Sequence, residues 1–208
     1  MTQAGGADRT PRGPTFAPGG VRLSARDRIL ETARVLFYRR GVANVGVDEI
    51  IAESGVAKAT LYKHFGSKDE LILEYMRQGD ARWVAWLQET VERLAPDPEA
   101  RLLAVFDALR EWFSLPHFRG CLLTNVVTAL PDPGHAAGDI LAGHKERVLG
   151  LLRRWAREAG AEHPDALAEQ VLMLLEGATA VARAQRDPEA ADRAQATVRA
   201  LLEADRAP

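Results

Sequence analysis

Six side chains between Lys58 and Lys68 are of types that contact nucleic-acid phosphates and base edges: Lys58, Thr60, Tyr62, Lys63, His64 and Lys68. A lysine ammonium group reaches guanine edges or phosphate oxygens, and threonine offers a hydroxyl and a methyl. Phenol and imidazole groups more naturally meet phosphate oxygens. The first five fall within one short segment, so a single helix can present them together. Side chains in this role need a rigid frame: a helix that reads a groove requires a tight turn and a partner helix that crosses the backbone. Residues 46–68, GVDEIIAESGVAKATLYKHFGSK, have that layout. Gly55 makes the turn. Ile50, Ile51, Val56, Leu61 and Phe65 pack inward. Lys68 stands at the start of the following helix, where free backbone N–H groups favour a phosphate.

The elements around this stretch read as helices throughout. Ser24 caps a first helix whose apolar stripe is Ile29, Leu30, Ala33, Leu36 and Phe37, and Gly41 ends it. The second helix is expected at about 46–53 and the third at about 57–64. Ser67, with Glu70 three residues on, predicts a capping box at the head of a long fourth helix over 68–94. Pro96 and Pro98 break that helix. Further helices are expected at 98–114, 121–130, 137–158, from Pro164 to about 186, and 188–204. No segment alternates as a strand does. The reading is all-α with about nine helices. It comprises a disordered arm at 1–20, a helix-turn-helix domain at 21–67 and a helical ligand-binding and dimerisation domain at 68–208. The arm is rich in Gly and Pro and poor in large apolar residues. Its Arg9 and Arg12, with Arg22 just beyond, could brush phosphates, though a passive tail is the plainer reading.

At this point the chain resembles the TetR family of bacterial transcriptional regulators. The residues that carry the likeness are Ile29-Leu30, Ala33 through Phe37, Gly41, Val47-Asp48-Glu49-Ile50, Gly55-Val56, Thr60-Leu61-Tyr62-Lys63-His64-Phe65 and Lys68-Asp69-Glu70-Leu71. The resemblance implies a homodimer on a palindromic double-stranded DNA operator. It also implies repression, usually relieved when a small-molecule effector binds the C-terminal domain. Two positions depart from the family pattern. Gly46 and Ala57 stand where a hydroxyl side chain is usual at the helix starts, so two expected cap or phosphate bonds are missing.

Beyond residue 80 the aromatic residues cluster. Trp83, Phe106, Trp112, Phe113, Cys121, Asn125 and His144 are candidate ligand-binding residues, because pockets in helical bundles combine apolar walls with a few polar groups. Taken singly, each aromatic is equally an ordinary core residue, and His144 a half-exposed one. Cys121 opens a helix after Arg119, where N–H groups and positive charge lower a thiol pKa. A thiol-based redox or electrophile sensor is therefore an alternative reading, against a buried cysteine acting as a small hydrophobe. Leu167, Val171, Leu174, Leu175, Ala178, Val198 and Leu201 form stripes on the last two helices and are expected at a dimer interface.

Composition bounds the alternatives. The 208 residues are 47% hydrophobic with a net charge of −2. That average hides an asymmetry. Residues 1–68 carry 11 Lys and Arg against 6 Asp and Glu, and the remainder carries 16 against 23. A basic front on an acidic chain suits contact with phosphates at one end. No apolar run is long enough for a membrane helix. The one cysteine forms no intrachain disulfide, and a cytoplasmic location is expected. No phosphate loop or His-Glu-x-x-His spacing is present, so neither metal nor cofactor is expected, and a helical enzyme is the remote alternative.

Overall fold

The computed structural model describes residues 23–206, so the expected arm at 1–20, with Arg9, Arg12 and Arg22, lies outside the described residues. Those residues form nine α-helices and no strand. They are α1 Ala25–Arg40, α2 Val47–Ser54, α3 Lys58–Phe65, α4 Lys68–Leu94, α5 Arg101–Phe113, α6 Leu122–Ala129, α7 Ala137–Glu158, α8 Pro164–Gln185 and α9 Ala190–Asp205. Short 3-10 turns at Val42–Asn44 and Pro98–Ala100 precede α2 and α5. The second turn explains why α5 begins three residues later than the proline at 98 suggests. Pro188 likewise lies before α9 and not inside it.

Local chemistry sets the helix ends. The Ser24 hydroxyl accepts from the Asp27 N–H at 3.2 Å, and the Gly41 N–H donates to the Phe37 carbonyl at 2.8 Å. Gly55, at φ 65° and ψ 33°, takes the left-handed conformation that ends α2 and turns the chain into α3. At the head of α4 the expected capping box is only half made. The Ser67 hydroxyl accepts from the Glu70 N–H at 3.0 Å, but the Ser67 N–H donates to the Phe65 carbonyl at 2.5 Å. The sharp turn at Gly66 leaves that donor pointing back at α3, so Glu70 has nothing to close on.

Two hydrophobic cores meet along α4. The front core joins α1, α2 and α3 to Leu71, Ile72, Tyr75 and Met76, and takes in Leu123 and Val126 of α6 and Ala137 of α7. The back core holds Trp83, Leu87 and Val91 of α4 with α5, α7, α8 and α9. The division between them therefore falls inside α4, near Gly79 and Asp80. α6 belongs with the front. Ion pairs tie α1 to α4: Arg26 to Glu74 at 2.7 Å within the front half, and Glu31 to Arg82 at 3.5 Å across the division.

The packing of α8 and α9 corrects one expectation. Leu167, Val171, Leu175, Ala178 and Val198 are buried in the chain's own back core, and Leu174 and Leu201 pack against it. The five buried residues face α5, α7 and each other, so they are not a surface free for a second copy, whereas Leu174 and Leu201 stay partly exposed. The exposed residues of α8 include the small or apolar Ala166, Met173, Gly177, Ala180, Val181 and Ala184, beside the polar Asp165, Glu169, Gln170, Arg183 and Gln185. Met173 is 67% exposed and Val181 37%.

Candidate nucleic-acid interface and interior cavity

α3 is anchored by Leu61 and Phe65, which are buried against α1 and α4. With those two inward, the helix turns Tyr62, Lys63 and His64 to solvent. Thr60 and Lys68 are half-buried. Lys58 is exposed and bonded to Asp48 of α2 at 3.1 Å, which raises its pKa and holds it charged. Neither Gly46 nor Ala57 supplies a side-chain cap, as their residue types dictate. Arg40 at the end of α1 pairs with Glu49 and so fixes α2 against α1. The result is a short polar ridge of Tyr62, Lys63 and His64 on a helix braced from behind.

A second feature lies where the two cores meet. A cavity of about 30 Å³ is lined by Arg34 and Tyr38 of α1, Gly79, Arg82 and Trp83 of α4, Trp112 of α5, Gly120 and Cys121, Leu122 and Leu123 of α6, and His144 of α7. Trp83 packs edge-on against His144 at 5.3 Å and against Trp112 at 5.8 Å. The Trp83 indole N–H is buried with no partner among the described residues. Behind the cavity wall, the buried Asp80 and His144 meet the half-exposed Arg147. Asp80 is 6% exposed and His144 3%. The Asp80 carboxylate accepts from His144 Nδ1 at 2.8 Å and from Arg147 Nε at 3.3 Å, with a second, shorter bond to Arg147. Cys121 is half-buried at the head of α6. Burial raises its thiol pKa. Hydrogen bonds with His144 and Thr124 and the nearby charge of Lys145 outweigh that, and bring it from 9.0 to about 7.

Comparison with known proteins identifies the architecture. Residues 29–75 match the family described as bacterial regulatory proteins, tetR family, and residues 98–198 match the tetracyclin repressor-like C-terminal domain. A TetR-family transcriptional regulator of Streptomyces coelicolor superposes with a TM-score of 0.78 at 32% identity, over 87% of this chain and 95% of that one. The chain belongs to the TetR family. Among curated relatives, the transcriptional regulator AcuR of Cereibacter sphaeroides is 30% identical over 168 residues, 72% of each chain. An uncharacterised HTH-type transcriptional regulator of Mycobacterium tuberculosis is 30% identical over 149 residues, and the match spans 67% of this chain and 65% of that relative.

Within this TetR fold the expected ligand-binding residues separate. Trp83, Trp112, Cys121 and His144 do line the cavity. Phe106 is buried in the back core and is not among the residues lining this cavity. Phe113 packs on Trp112 and Phe118, facing an outer cleft. Asn125 braces the preceding loop: its Nδ2 donates to the Arg119 carbonyl at 2.9 Å, and its Oδ1 accepts from Arg183. These three therefore lie away from the cavity between the cores, since an aromatic or amide type does not disclose which side of a helix it occupies. His144 proves buried. Asp80, Arg34, Tyr38 and Arg82 were missed. Asp80 had a readable signal: it follows Leu71, Ile72, Tyr75, Met76 and Gly79 on the inward stripe of α4, where an acid demands a partner. Among the described residues no group of three or more His, Cys, Asp or Glu could hold a metal ion, and no helix is long and apolar enough to cross a membrane.

Proposed function

We propose that this TetR-family chain is a dimeric DNA-binding transcriptional regulator, a repressor that leaves a palindromic operator when a small molecule binds its C-terminal domain. The observation that carries the reading is the ridge of Tyr62, Lys63 and His64, held outward on α3 and joined through α4 to an interior cavity. Two such ridges in a dimer enter successive major grooves about 34–36 Å apart. Affinity rests on Lys58, Tyr62, Lys63, His64 and Lys68, with Thr60 reaching a base edge. The effector seat is the cavity between the cores, where a bound molecule alters how α6 and α7 meet α4. An effector releases DNA only if it binds the two states unequally. The outward face of α8, with Met173, Gly177, Ala180, Val181 and Ala184, is the surface on which two copies meet. Its small residues permit close helix approach. The protein acts in the cytoplasm, where its operator is.

The test is fluorescence anisotropy of purified protein on DNA from its own upstream region, across about 50 to 200 mM salt. Binding is expected to weaken steeply with salt. Lys63→Ala is expected to lower the logarithmic salt slope by about 1 per half-site. Sedimentation is expected to give the mass of two chains. Binding that is absent or indifferent to salt refutes the proposal.

A further inference from the structure

Where α1 meets the loop before α6, a cleft of about 360 Å³ opens outside the interior cavity. Small-molecule sites span about 300–1,000 Å³. Arg39 and Arg40 from the last turn of α1, Arg119 from the loop and Arg183 from the last turn of α8 all line it, with Tyr38 and Asn125. Its lining contains no Asp or Glu, and neither does that of the two adjoining clefts whose walls also include Arg119. That runs against the composition, since residues 69–208 carry 23 Asp and Glu against 16 Lys and Arg. Elsewhere arginines meet carboxylates: Arg93 pairs with Glu111, Arg101 with Glu158 and Arg110 with Asp192. In the cleft only Arg40 does so, through Glu49. Arg183 bonds the neutral amide oxygen of Asn125, and Arg39 and Arg119 have no acidic partner among the described residues.

A frame of hydrogen bonds holds these cations around the cleft. The Tyr38 hydroxyl of α1 accepts from the Arg119 N–H at 3.0 Å, Asn125 Nδ2 of α6 donates to the Arg119 carbonyl at 2.9 Å, and Arg183 of α8 donates to Asn125 Oδ1. One run of bonds thus ties three helices to the loop. Gly120, at φ 80°, lets the loop pass beneath Arg183, where a Cβ would meet Arg183 Cδ at 3.0 Å. Helix C-termini favour basic residues in any case. That explains Arg39 on α1 and Arg183 on α8 singly. It explains neither Arg119, which is on no helix, nor the convergence of all three. The C-terminal ends of α1, α6 and α8 each bring about half a negative charge, roughly one and a half together. The three guanidinium groups without a carboxylate outweigh that by about one and a half charges. Arginine does not deprotonate in a protein, so the excess is relieved only by a bound anion.

We propose that this cleft binds a small molecule carrying at least two negative charges as phosphate or carboxylate groups, at a site separate from the effector seat. The guanidinium fork matches the paired oxygens of either group with two parallel N–H bonds. Held by Arg39, Arg119 and Arg183, the ligand joins α1 of the front core to α8 of the back core across the loop. The site needs neither a second copy nor DNA, so it goes beyond the regulatory reading and stands or falls without it.

Isothermal titration of the full chain is the test, at fixed ionic strength in buffer free of phosphate and divalent metals. The probes are inorganic pyrophosphate and citrate, with acetate as the singly charged control. At least one probe is expected to bind with a Kd of about 1 mM or tighter, and acetate is not. Pyrophosphate without citrate assigns phosphate compounds, and citrate without pyrophosphate assigns polycarboxylates; either result supports the site. Arg119→Gln leaves the frame in place, because Arg119 makes those bonds through its backbone. Loss of one charge-assisted bond is expected to weaken binding about 10-fold or more, in Arg119→Gln and in Arg39→Gln alike. Arg199→Gln, which removes an exposed charge of α9 outside the cleft lining, is expected to change affinity by less than about 2-fold. Binding of neither probe overturns the proposal. So does binding that survives both cleft variants, since the anion then sits elsewhere, as on the ridge of α3. An equal loss in Arg199→Gln also overturns it, because the general field of the protein then suffices. Urea midpoints without ligand check folding; if Arg119→Gln shifts its midpoint, Arg39→Gln decides.

Discussion

Replacing Asp80 with asparagine removes one charge and almost no volume, so it isolates what the buried carboxylate does. In the folded chain Asp80 serves two partners of different kinds. His144 is 3% exposed and cannot reach water. Arg147 has half its side chain in solvent and can turn away. The substituted amide could still accept from His144 Nδ1, but as a neutral acceptor, and charge-assisted bonds are about twice as strong as neutral ones. That change costs about 1 kcal/mol. The amide would also turn a donor toward the Arg147 guanidinium, and losing that bond costs about 1 kcal/mol more, tempered by the exposure of Arg147. The sum, about 2 kcal/mol, lies below the roughly 3–5 kcal/mol for breaking a fully buried pair, because one partner is half in water. It corresponds to a drop in Tm of about 4–8 °C for a chain of this size. Urea unfolding by circular dichroism measures it as a shift in midpoint at constant slope. Combining Asp80→Asn with Arg147→Ala should cost clearly less than the two singles added, because both remove the same bond. A loss under about 0.5 kcal/mol, the range of an ordinary surface substitution, refutes the assignment of the trio as a stabilising network. A gain would mean that desolvating Asp80 outweighs its bonds.

Other consequences are simpler to check. Ser67→Ala should destabilise by about 1 kcal/mol through loss of the α4 cap, whereas Glu70→Ala should be nearly neutral because the return bond is not made; urea midpoints of the two variants decide it. The Glu74 pKa is lowered: burial raises it, but the bonds from Arg26 and Gln78 and the charges of Arg26 and Arg77 outweigh burial. A depressed folded pKa contributes stability above the unfolded carboxylate value of about 4.3, and that stability is lost as pH falls through the lower folded value. Wild type should therefore lose its advantage over Glu74→Gln only in that acid window, and a difference that persists unchanged at the acid end would contradict the clamp.

How far the sequence could be read depended on the range of the interaction. Caps and turns are decided by neighbours within a few residues, so Ser24, Gly41, Gly55 and Pro164 were legible and the helices fall within one to three residues of expectation. The outward ridge of α3 was legible for the same reason, since Leu61 and Phe65 define its back and Tyr62, Lys63 and His64 follow by periodicity. The cavity depends on which helices meet, and that is not local. Phe106 and Trp112 are both aromatic residues of α5, yet only Trp112 reaches the cavity. An apolar stripe does not say what it packs on. Leu167, Val171 and Leu175 looked like a subunit surface because α5 and α7 could not be placed against them from sequence. Asp80 was the exception that could have been caught, as an acid on an apolar stripe.

The length of α4 has a mechanical consequence. Its 27 residues make a rod of about 40 Å, clamped by Tyr75 and Met76 in one core and by Leu87 and Val91 in the other. A tilt of about 5° about Leu87 displaces the Lys68 end of such a rod, about 28 Å away, by about 2.5 Å. In a symmetric pair the two displacements are mirrored and the change in separation doubles. On the proposed mode of action, a small shift beside Gly79 reaches α3 as a displacement of this size. If the chain works as proposed, the rod is the gear between an event the size of one bound molecule and a geometric requirement the size of a helical turn of DNA.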